Sequence, residues 1–198
     1  GIILRIDSPG GTVSGTADLG NDIRTAAATK PVIAFVEDMA ASAAFWLASQ
    51  AGMVFASSTT ARVGSIGTFL GLHDLSGLAA KEGIRPVVIR TSPIKGIGFP
   101  GEEITDEQKA ELQRVVNDVQ AEFVAAVQAG RNMTDEQVAN VADARLFIAR
   151  EAMELNLIDG VRSFADAIGT VHQFAGERSR LNIKTEKKMA AASYLELI

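Results

Sequence analysis

The chain has 198 residues, of which 47% are apolar and 22% are charged, a composition typical of a globular domain with a substantial core. Its net charge of −5 argues against binding to a nucleic-acid backbone as a main activity. The chain has no cysteine, which excludes disulfides and thiolate metal sites, and no spacing of histidines and carboxylates indicates another metal site. We therefore expect no metal and no cofactor. The sequence contains no run of about 18 apolar residues, so it predicts no membrane span.

The first half of the chain alternates apolar segments with helix-like ones. Strands are predicted at 2–6, 31–36, 53–56, 63–72 and 85–90, and helices at 14–28, 43–51 and 76–83. Because this alternation is typical of βαβ units, we predict an α/β fold with a largely parallel sheet. An apolar strand at the very start is unusual, so we expect that part of a longer protein precedes Gly1.

Two capping boxes open helices in the second half. Thr105 and Gln108 form the first, at the start of a long amphipathic helix that we expect to end at Gly130. Thr134 and Gln137 form the second, at the start of a shorter helix.

The last part of the chain is predicted to be mainly helical. Helices are predicted at 149–155 and 163–173, with a strand or turn at 157–161 between them. We expect one domain over residues 1–175, with helices on its C-terminal side, and a tail or oligomerisation arm over 176–198.

The segment SPGG, residues 8–11, follows the first strand directly. Two glycines permit positive φ angles and close approach of a ligand to the backbone, so such a turn can direct N–H groups at a developing oxyanion. The same residues also suit an ordinary strand-to-helix turn. A phosphate-binding loop is excluded, because the Walker lysine and the GxGxxG spacing are absent.

Ser42 lies between a predicted strand and a predicted helix, in the run MAASAAFWLAS. The N-terminus of a helix favours negative charge, and a serine on a sharp turn at that point follows the logic of a nucleophile elbow, although GxSxG is absent. A serine that caps a helix occupies the same position. The residues alone leave both interpretations open.

Lys95 and His73 are candidates for the base that would take a proton from Ser42. Lys95 lies in a segment rich in glycine and proline, and a lysine is a general base only where burial or cationic neighbours lower its pKa from about 10.4 toward 7–8. His73 could form a triad with Ser42, but Asp74 is a poor partner for it, because adjacent side chains in a strand face opposite ways. His172 is predicted on a late helix and is interpreted as a surface residue.

Five segments together resemble the signal peptide peptidase A family of serine peptidases. In chain order they are IDSPGG, MAASAAFWLAS, VGSIG, the segment around Lys95, and RLFIAREAMELNLID, and the similarity spans residues 2–168. The resemblance implies the core fold that this family shares with Clp protease and the crotonases. It also implies a Ser–Lys dyad in place of Ser–His–Asp.

The resemblance assigns roles to five residues. Ser42 matches the nucleophile, Lys95 the general base, and Ser65 a serine that hydrogen-bonds the base. Gly11 and Ala43 match the two backbone donors of the oxyanion hole. The chain departs from the family by having alanines where two glycines commonly follow the nucleophile, which narrows the cleft without removing an N–H group. It also departs by having apolar and glycine neighbours around its lysine.

Three other functions remain open on this fold. The first is a Clp-like peptidase with a triad of Ser42 and His73. The second is a crotonase-like acyl-CoA enzyme, in which backbone donors would stabilise an enolate. The third is a non-catalytic assembly protein.

The family resemblance leaves two biological settings. One is the removal of signal peptides by an enzyme with a membrane anchor upstream, and the other is the cleavage of scaffold and capsid proteins within a phage prohead. In either setting the resemblance implies a protein or peptide substrate and a homo-oligomeric ring. The apolar end Tyr194–Ile198 is a candidate contact surface.

Overall fold

The computed structural model of the protein describes residues 1–178. Its backbone divides into two compact units. The sheet unit comprises Gly1–Gly67 and the chain from Phe123 onward, and the 68–122 unit comprises Thr68–Glu122. The predicted tail falls outside the described residues from position 179, as does the candidate contact surface at Tyr194–Ile198.

The sheet unit is built on a mixed β-sheet. Its described strands are β1 (Ile2–Ser8), β2 (Val32–Ala41), β3 (Met53–Ala56), β4 (Arg62–Gly64), β5 (Leu146–Ile148) and β6 (Gly160–Val161). The pairings β1–β2, β2–β3, β2–β4 and β3–β6 are parallel, and β4–β5 is antiparallel. The predicted α/β fold with a largely parallel sheet is therefore confirmed.

Strand β2 lies at the centre of this sheet, with neighbours on both edges. Ala34 pairs with β1 and β3, and Ala40 pairs with β1 and β4. Strand β1 therefore pairs with one edge of β2. On the opposite edge, β3 pairs with the first half of β2 and β4 pairs with its last residues. This arrangement places the carboxyl ends of β1, β2 and β4 side by side.

Helices separate most of the strands. They are α1 (Thr16–Thr29), α2 (Ala43–Ser49), α3 (Ser76–Lys81), α4 (Asp106–Arg131), α5 (Asp135–Ala139), α6 (Ala149–Glu154) and α7 (164–178). Both predicted capping boxes are confirmed. The N–H of Gln137 donates to the Thr134 hydroxyl at 3.2 Å and that of Gln108 to the Thr105 hydroxyl at 3.3 Å, and the glutamine side chains accept the return bonds.

Both faces of β2 are buried over residues 32–36, which explains the continuous apolar sequence of this half of the strand. Val32, Ala34 and Val36 face the main core, where the buried rings of Phe45 and Phe123 also lie. The alternate side chains face a second cluster on the other side of the sheet, formed by Ile33, Phe35, Phe55, Ala167 and Val171. A strand covered on both faces carries a continuous apolar run instead of alternating apolar and polar residues.

The sequence analysis is wrong about three strands. Residues 85–90 form no strand, because an extended segment needs a neighbouring strand for its ladder hydrogen bonds and none within the 68–122 unit pairs with them. The predicted strand 63–72 ends at Gly64, where positive φ angles of 108° at Gly64 and 51° at Ser65 turn the backbone. Strand β5 was not predicted, since its three residues are too short for a periodic pattern.

The packing of α2 against the last turns of α4 leads to a stability prediction. A Cβ atom at Gly130 would lie 2.2 Å from the carbonyl oxygen of Ser49 and 2.8 Å from Nε2 of Gln50. We expect Gly130→Ala to lower the free energy of unfolding by about 2–3 kcal/mol, although alanine is the better helix former. Urea denaturation measures this difference.

Gly20 of α1 provides the matched control. A Cβ atom there would meet Gln50 and Trp46 no closer than 3.4 Å, so Gly20→Ala should be neutral or stabilising by up to about 1 kcal/mol. Equal stability of the two variants would contradict the close packing at Gly130.

Candidate active site

Three turns meet where β1, β2 and β4 end. Ser8 pairs with Ala40, and Ala41 pairs with Gly64, so the residues that follow each strand lie at the same edge of the sheet. The N–H of Ser42 donates to the carbonyl oxygen of Gly64 at 2.9 Å. The fold thereby brings SPGG, Ser42 and Ser65 to one place, as expected for a site at the carboxyl ends of parallel strands.

Ser42 forms the whole connection between β2 and α2. Its φ of 53° and ψ of −126° lie in a region that non-glycine residues rarely adopt, at a cost of about 1–3 kcal/mol. The half-buried side chain does not cap α2, although Ser42 occupies the N-cap position. A strained serine on a sharp strand-to-helix turn is the geometry of a nucleophile elbow.

The SPGG turn lies directly against this serine. A Cβ atom at Gly10 would lie 2.7 Å from the carbonyl oxygen of Ala41 and 2.7 Å from Cβ of Ser42. The φ of Gly10 is 103°, and its N–H donates to the Ser8 hydroxyl at 3.2 Å. Only glycine combines this backbone angle with this approach, so Gly10 sets the distance between the two turns.

A groove of ≈ 370 Å³ runs along the two turns. Gly10, Gly11, Ala43, Ala44 and Leu47 line it together with residues of β1. The N–H of Ala43 lies in the first turn of α2, where a helix offers it no acceptor. The groove is thus lined by the residue that follows Ser42, whose N–H has no acceptor within the helix.

Ser65 occupies the adjacent turn after β4. Its φ is 51°, its side chain is half-buried, and its N–H donates to the carbonyl oxygen of Arg145 at 2.7 Å. Ser65 follows Gly64, whose carbonyl oxygen accepts from Ser42. The sheet unit therefore brings four predicted site residues together: Ser42, Ser65, Gly11 and Ala43.

Lys95 and His73 belong to the 68–122 unit, and both are exposed there. The N–H of Lys95 donates to the carbonyl oxygen of Ser92 at 3.1 Å, within a tight turn. Lys95 and Ser42 therefore lie in different units of the chain.

Asp74 has another role than orienting His73. Its carboxylate accepts the N–H groups of Ser76 at 2.9 Å and Ile104 at 3.1 Å. Hydrogen bonds from Ser76, first from its side chain and then from its backbone, and the bond from Ile104 lower the pKa of Asp74 to about 2. The predicted reason for a poor triad is wrong, since residues 71–75 are not a strand. The bonds to Ser76 and Ile104 occupy the carboxylate instead.

Residues 1–178 contain no group of three or more histidines, aspartates and glutamates placed to hold a metal ion. Within the same range, no helix has the length and hydropathy needed to cross a bilayer.

The sequence model of peptidase family S49 matches residues 24–177, a range that includes Ser42, Ser65 and Lys95. The chain belongs to peptidase family S49. The resemblance inferred from the five segments is confirmed. The family is one of peptidases, and the relatives of this chain include Protease 4 of Salmonella typhi.

Individual relatives agree with this assignment. A protein of Synechocystis sp. with protease in its name is 34% identical over 166 residues, which are 84% of this chain and 60% of the relative. A protein of Methanocaldococcus jannaschii, also named as a protease, is 31% identical over 175 residues, 88% of this chain and 56% of the relative. Capsid assembly protease C of Escherichia phage lambda is 30% identical over 183 residues, 92% of this chain and 41% of the relative. The chain thus spans only part of the length of these relatives.

The sequence did not indicate a role for two residues beside the candidate site, Gly10 and Arg145. Gly10 was quoted within SPGG, but only its neighbour Gly11 was assigned a role, because the close approach of Gly10 to Ser42 depends on tertiary structure. Arg145 was quoted within a longer segment and given no role. No local pattern marks a residue whose carbonyl oxygen holds a turn about 80 residues away.

Proposed function

We propose that this S49 chain is a serine endopeptidase with Ser42 as its nucleophile. The conformation of Ser42 carries the proposal. Its backbone is strained, its hydroxyl does not cap the following helix, and it adjoins a groove with a backbone donor. Strain of this kind persists where the surrounding structure imposes it, commonly at active sites.

In the proposed acylation step, Oγ of Ser42 attacks the carbonyl carbon of a peptide bond. The resulting oxyanion accepts hydrogen bonds from the N–H groups of Gly11 and Ala43. The C–N bond then breaks, the amine leaves with a proton from Lys95, and an ester to Ser42 remains. Water hydrolyses this ester and restores the free hydroxyl.

Lys95 is the proposed base. It takes the proton of Ser42 as the neutral amine and gives it to the leaving group as the ammonium. Ser65 is proposed to hydrogen-bond the amine and orient it. Its turn lies beside the Ser42 turn, which supports this role. Ser42 belongs to the sheet unit and Lys95 to the 68–122 unit. Since the proposed reaction needs both residues, we propose that residues 1–175 function as one peptidase domain.

The fold and assembly of the whole protein are also proposals. The parallel sheet with a nucleophile after β2 is compatible with the core of the Clp proteases and crotonases, and membership of family S49 supports it. We propose a homo-oligomeric ring, with residues 176–198 as an arm between subunits. The phage relatives, whose names describe capsid assembly and a head–tail preconnector, support assembly of this kind.

Two substrate classes are proposed. An Enterococcus faecium relative carries signal peptide peptidase in its name, which supports cleaved signal peptides. Capsid assembly protease C supports scaffold and capsid proteins. Small apolar side chains at Ala43 and Ala44 line the groove, so small or aliphatic substrate residues should fit beside the scissile bond in either case.

The dyad is tested with a fluorophosphonate probe, which esterifies activated serines, and with peptide mass spectrometry to locate the adduct. We expect the adduct on Ser42, and we expect labelling to slow by about 10²-fold or more in Lys95→Ala. His73→Ala is the control and should label at the normal rate. Loss of labelling in His73→Ala, with labelling kept in Lys95→Ala, would overturn the dyad in favour of the triad.

The same experiment addresses the other functions. If the folded protein shows no adduct at Ser42, calorimetry with coenzyme A decides between an acyl-CoA enzyme, which would bind it, and an assembly protein, which would not.

A further inference from the structure

Arg145 lies immediately before β5, beside the turn that carries Ser65. Its carbonyl oxygen accepts the N–H of Ser65 at 2.7 Å. A Cβ atom at Gly64 would lie 2.9 Å from the same oxygen. One carbonyl group therefore contacts both residues of the turn, and Gly64 in turn holds the N–H of Ser42.

The Ser65 turn needs such a contact to keep its shape. Ser65 has a φ of 51°, and Ala144, the residue before Arg145, has a φ of 65°. Left-handed conformations of this kind are uncommon for serine and alanine. The N–H of Ala144 also donates to the carbonyl oxygen of Ile66 at 3.3 Å, so two backbone bonds hold two strained residues against each other.

The side chain of Arg145 is anchored at three points, although the residue is exposed. Nε donates to the carboxylate of Asp143 at 2.5 Å, and Nη2 donates to the carbonyl oxygen of Asn140 at 3.3 Å. The guanidinium carbon lies 5.1 Å from the ring centroid of buried Phe147. Asp143 also accepts the N–H of Arg145 at 3.2 Å. These contacts hold the Arg145 side chain against Asp143, Asn140 and Phe147.

Stability alone does not account for this set of contacts. Exposed ion pairs contribute little to the free energy of unfolding, and the pairing of β4 with β5 already joins the two segments. The side-chain contacts of Arg145 do belong to the same residue whose carbonyl oxygen bonds the Ser65 turn. An error of about 1 Å in a supporting group can reduce turnover strongly.

We propose that Arg145 is a positioning residue of the peptidase, whose anchored side chain orients the carbonyl group that accepts the Ser65 N–H and thereby positions the Ser65 hydroxyl for the reaction. The inference rests on the role that the proposed function gives to Ser65. It adds a residue that touches neither substrate nor the reacting atoms and acts through Ser65.

A double-mutant cycle tests it with the full chain and a fluorogenic peptide. We expect Arg145→Ala to lower kcat about tenfold, with KM within about twofold, and to move the alkaline rise of the pH–rate profile, because a displaced Ser65 hydroxyl would no longer orient the amine. In the Ser65→Ala background, Arg145→Ala should cause no further loss.

Arg162→Ala is the matched control. Arg162 also lies over a phenylalanine ring, 4.9 Å from the centroid of Phe55, and its replacement changes the charge equally. Its kcat and pH profile should match those of the unmutated protein. If Arg145→Ala does not fold, Asp143→Asn replaces it, since the amide still accepts the N–H of Arg145 but binds the guanidinium less tightly. A loss of about threefold is then expected.

The outcomes separate the two proposals. If Ser65→Ala lowers kcat but Arg145→Ala adds its full loss in that background, the inference about Arg145 is overturned and the proposed function stands. If Ser65→Ala leaves kcat unchanged, the role of Ser65 is wrong and the inference falls with it. An unchanged pH profile in Arg145→Ala would mean that its contribution is structural only.

Discussion

Replacement of Ser42 by alanine should abolish the hydrolysis of an unfolded protein such as casein, lowering kcat by at least about 10³-fold. The reason is chemical, because alanine has no oxygen to form the acyl-enzyme. The fold should be unaffected, since the hydroxyl makes no capping bond to α2 whose loss would destabilise the protein. Casein cleavage and thermal unfolding of the same preparation measure the two effects.

Ser163→Ala is the control for a serine that does cap a helix. The Ser163 hydroxyl accepts the N–H of Asp166 at 3.1 Å, at the start of α7. Its removal should reduce the free energy of unfolding by about 1 kcal/mol and leave casein cleavage intact. Retention of cleavage in Ser42→Ala, or a loss of stability equal to that of Ser163→Ala, would restore the capping interpretation of Ser42.

A second substitution at Ser42 separates chemistry from strain. Alanine keeps the cost of a φ of 53°, whereas glycine adopts this angle freely. Ser42→Gly should therefore be inactive as well, yet more stable than Ser42→Ala by about 1 kcal/mol. Equal stability of the two variants would mean that the turn relaxes when the hydroxyl is lost.

Local sequence was sufficient for the elements whose signals are local. The capping boxes at Thr105 and Thr134 appear where they were predicted, because the bonds join residues three apart. The strand at 53–56 has the predicted bounds, and its neighbour β2 has a run long enough to indicate burial on both faces. A parallel sheet follows from the alternation of such strands with helices.

The errors arise where a partner distant in sequence decides the structure. Residues 85–90 have a strand-like composition, but a ladder needs a neighbour that no single segment specifies. Conversely, Leu146–Ile148 becomes a strand because β4 lies beside it. The strand propensity of a segment depends on its own residues, whereas strand pairing depends on two segments that are distant in sequence.

The candidate site shows the same division. The order of the motifs indicated Ser42 and Ser65 as candidates, and strand pairing explains why their turns are adjacent. The close approach of Gly10 to Ser42 could not be predicted, because it joins the ends of two strands. The order of the motifs also could not place Lys95, which lies in the 68–122 unit. The role of Lys95 as the base stays a prediction.

Gly10→Ala should lower the kcat/KM of peptide hydrolysis by about 10²-fold or more, although residue 10 would keep its N–H group and carry no charge. The new methyl group would lie 2.7 Å from the carbonyl oxygen of Ala41 and from Cβ of Ser42, closer than any ordinary contact. Both neighbours belong to the main chain or its first side-chain atom, so neither can rotate away. The SPGG turn must move instead, and Gly11 moves with it.

Gly15 distinguishes this collision from the cost of the backbone angle. Its φ of 79° is also positive, but a Cβ atom there has no neighbour within 4 Å. Gly15→Ala should therefore lose only about 1 kcal/mol of stability and keep its activity. Peptide hydrolysis and fluorophosphonate labelling at Ser42 are measured for both variants. If Gly10→Ala keeps activity within about threefold of Gly15→Ala, the approach of the SPGG turn to Ser42 does not matter for the reaction, and the oxyanion role of Gly11 loses its structural support.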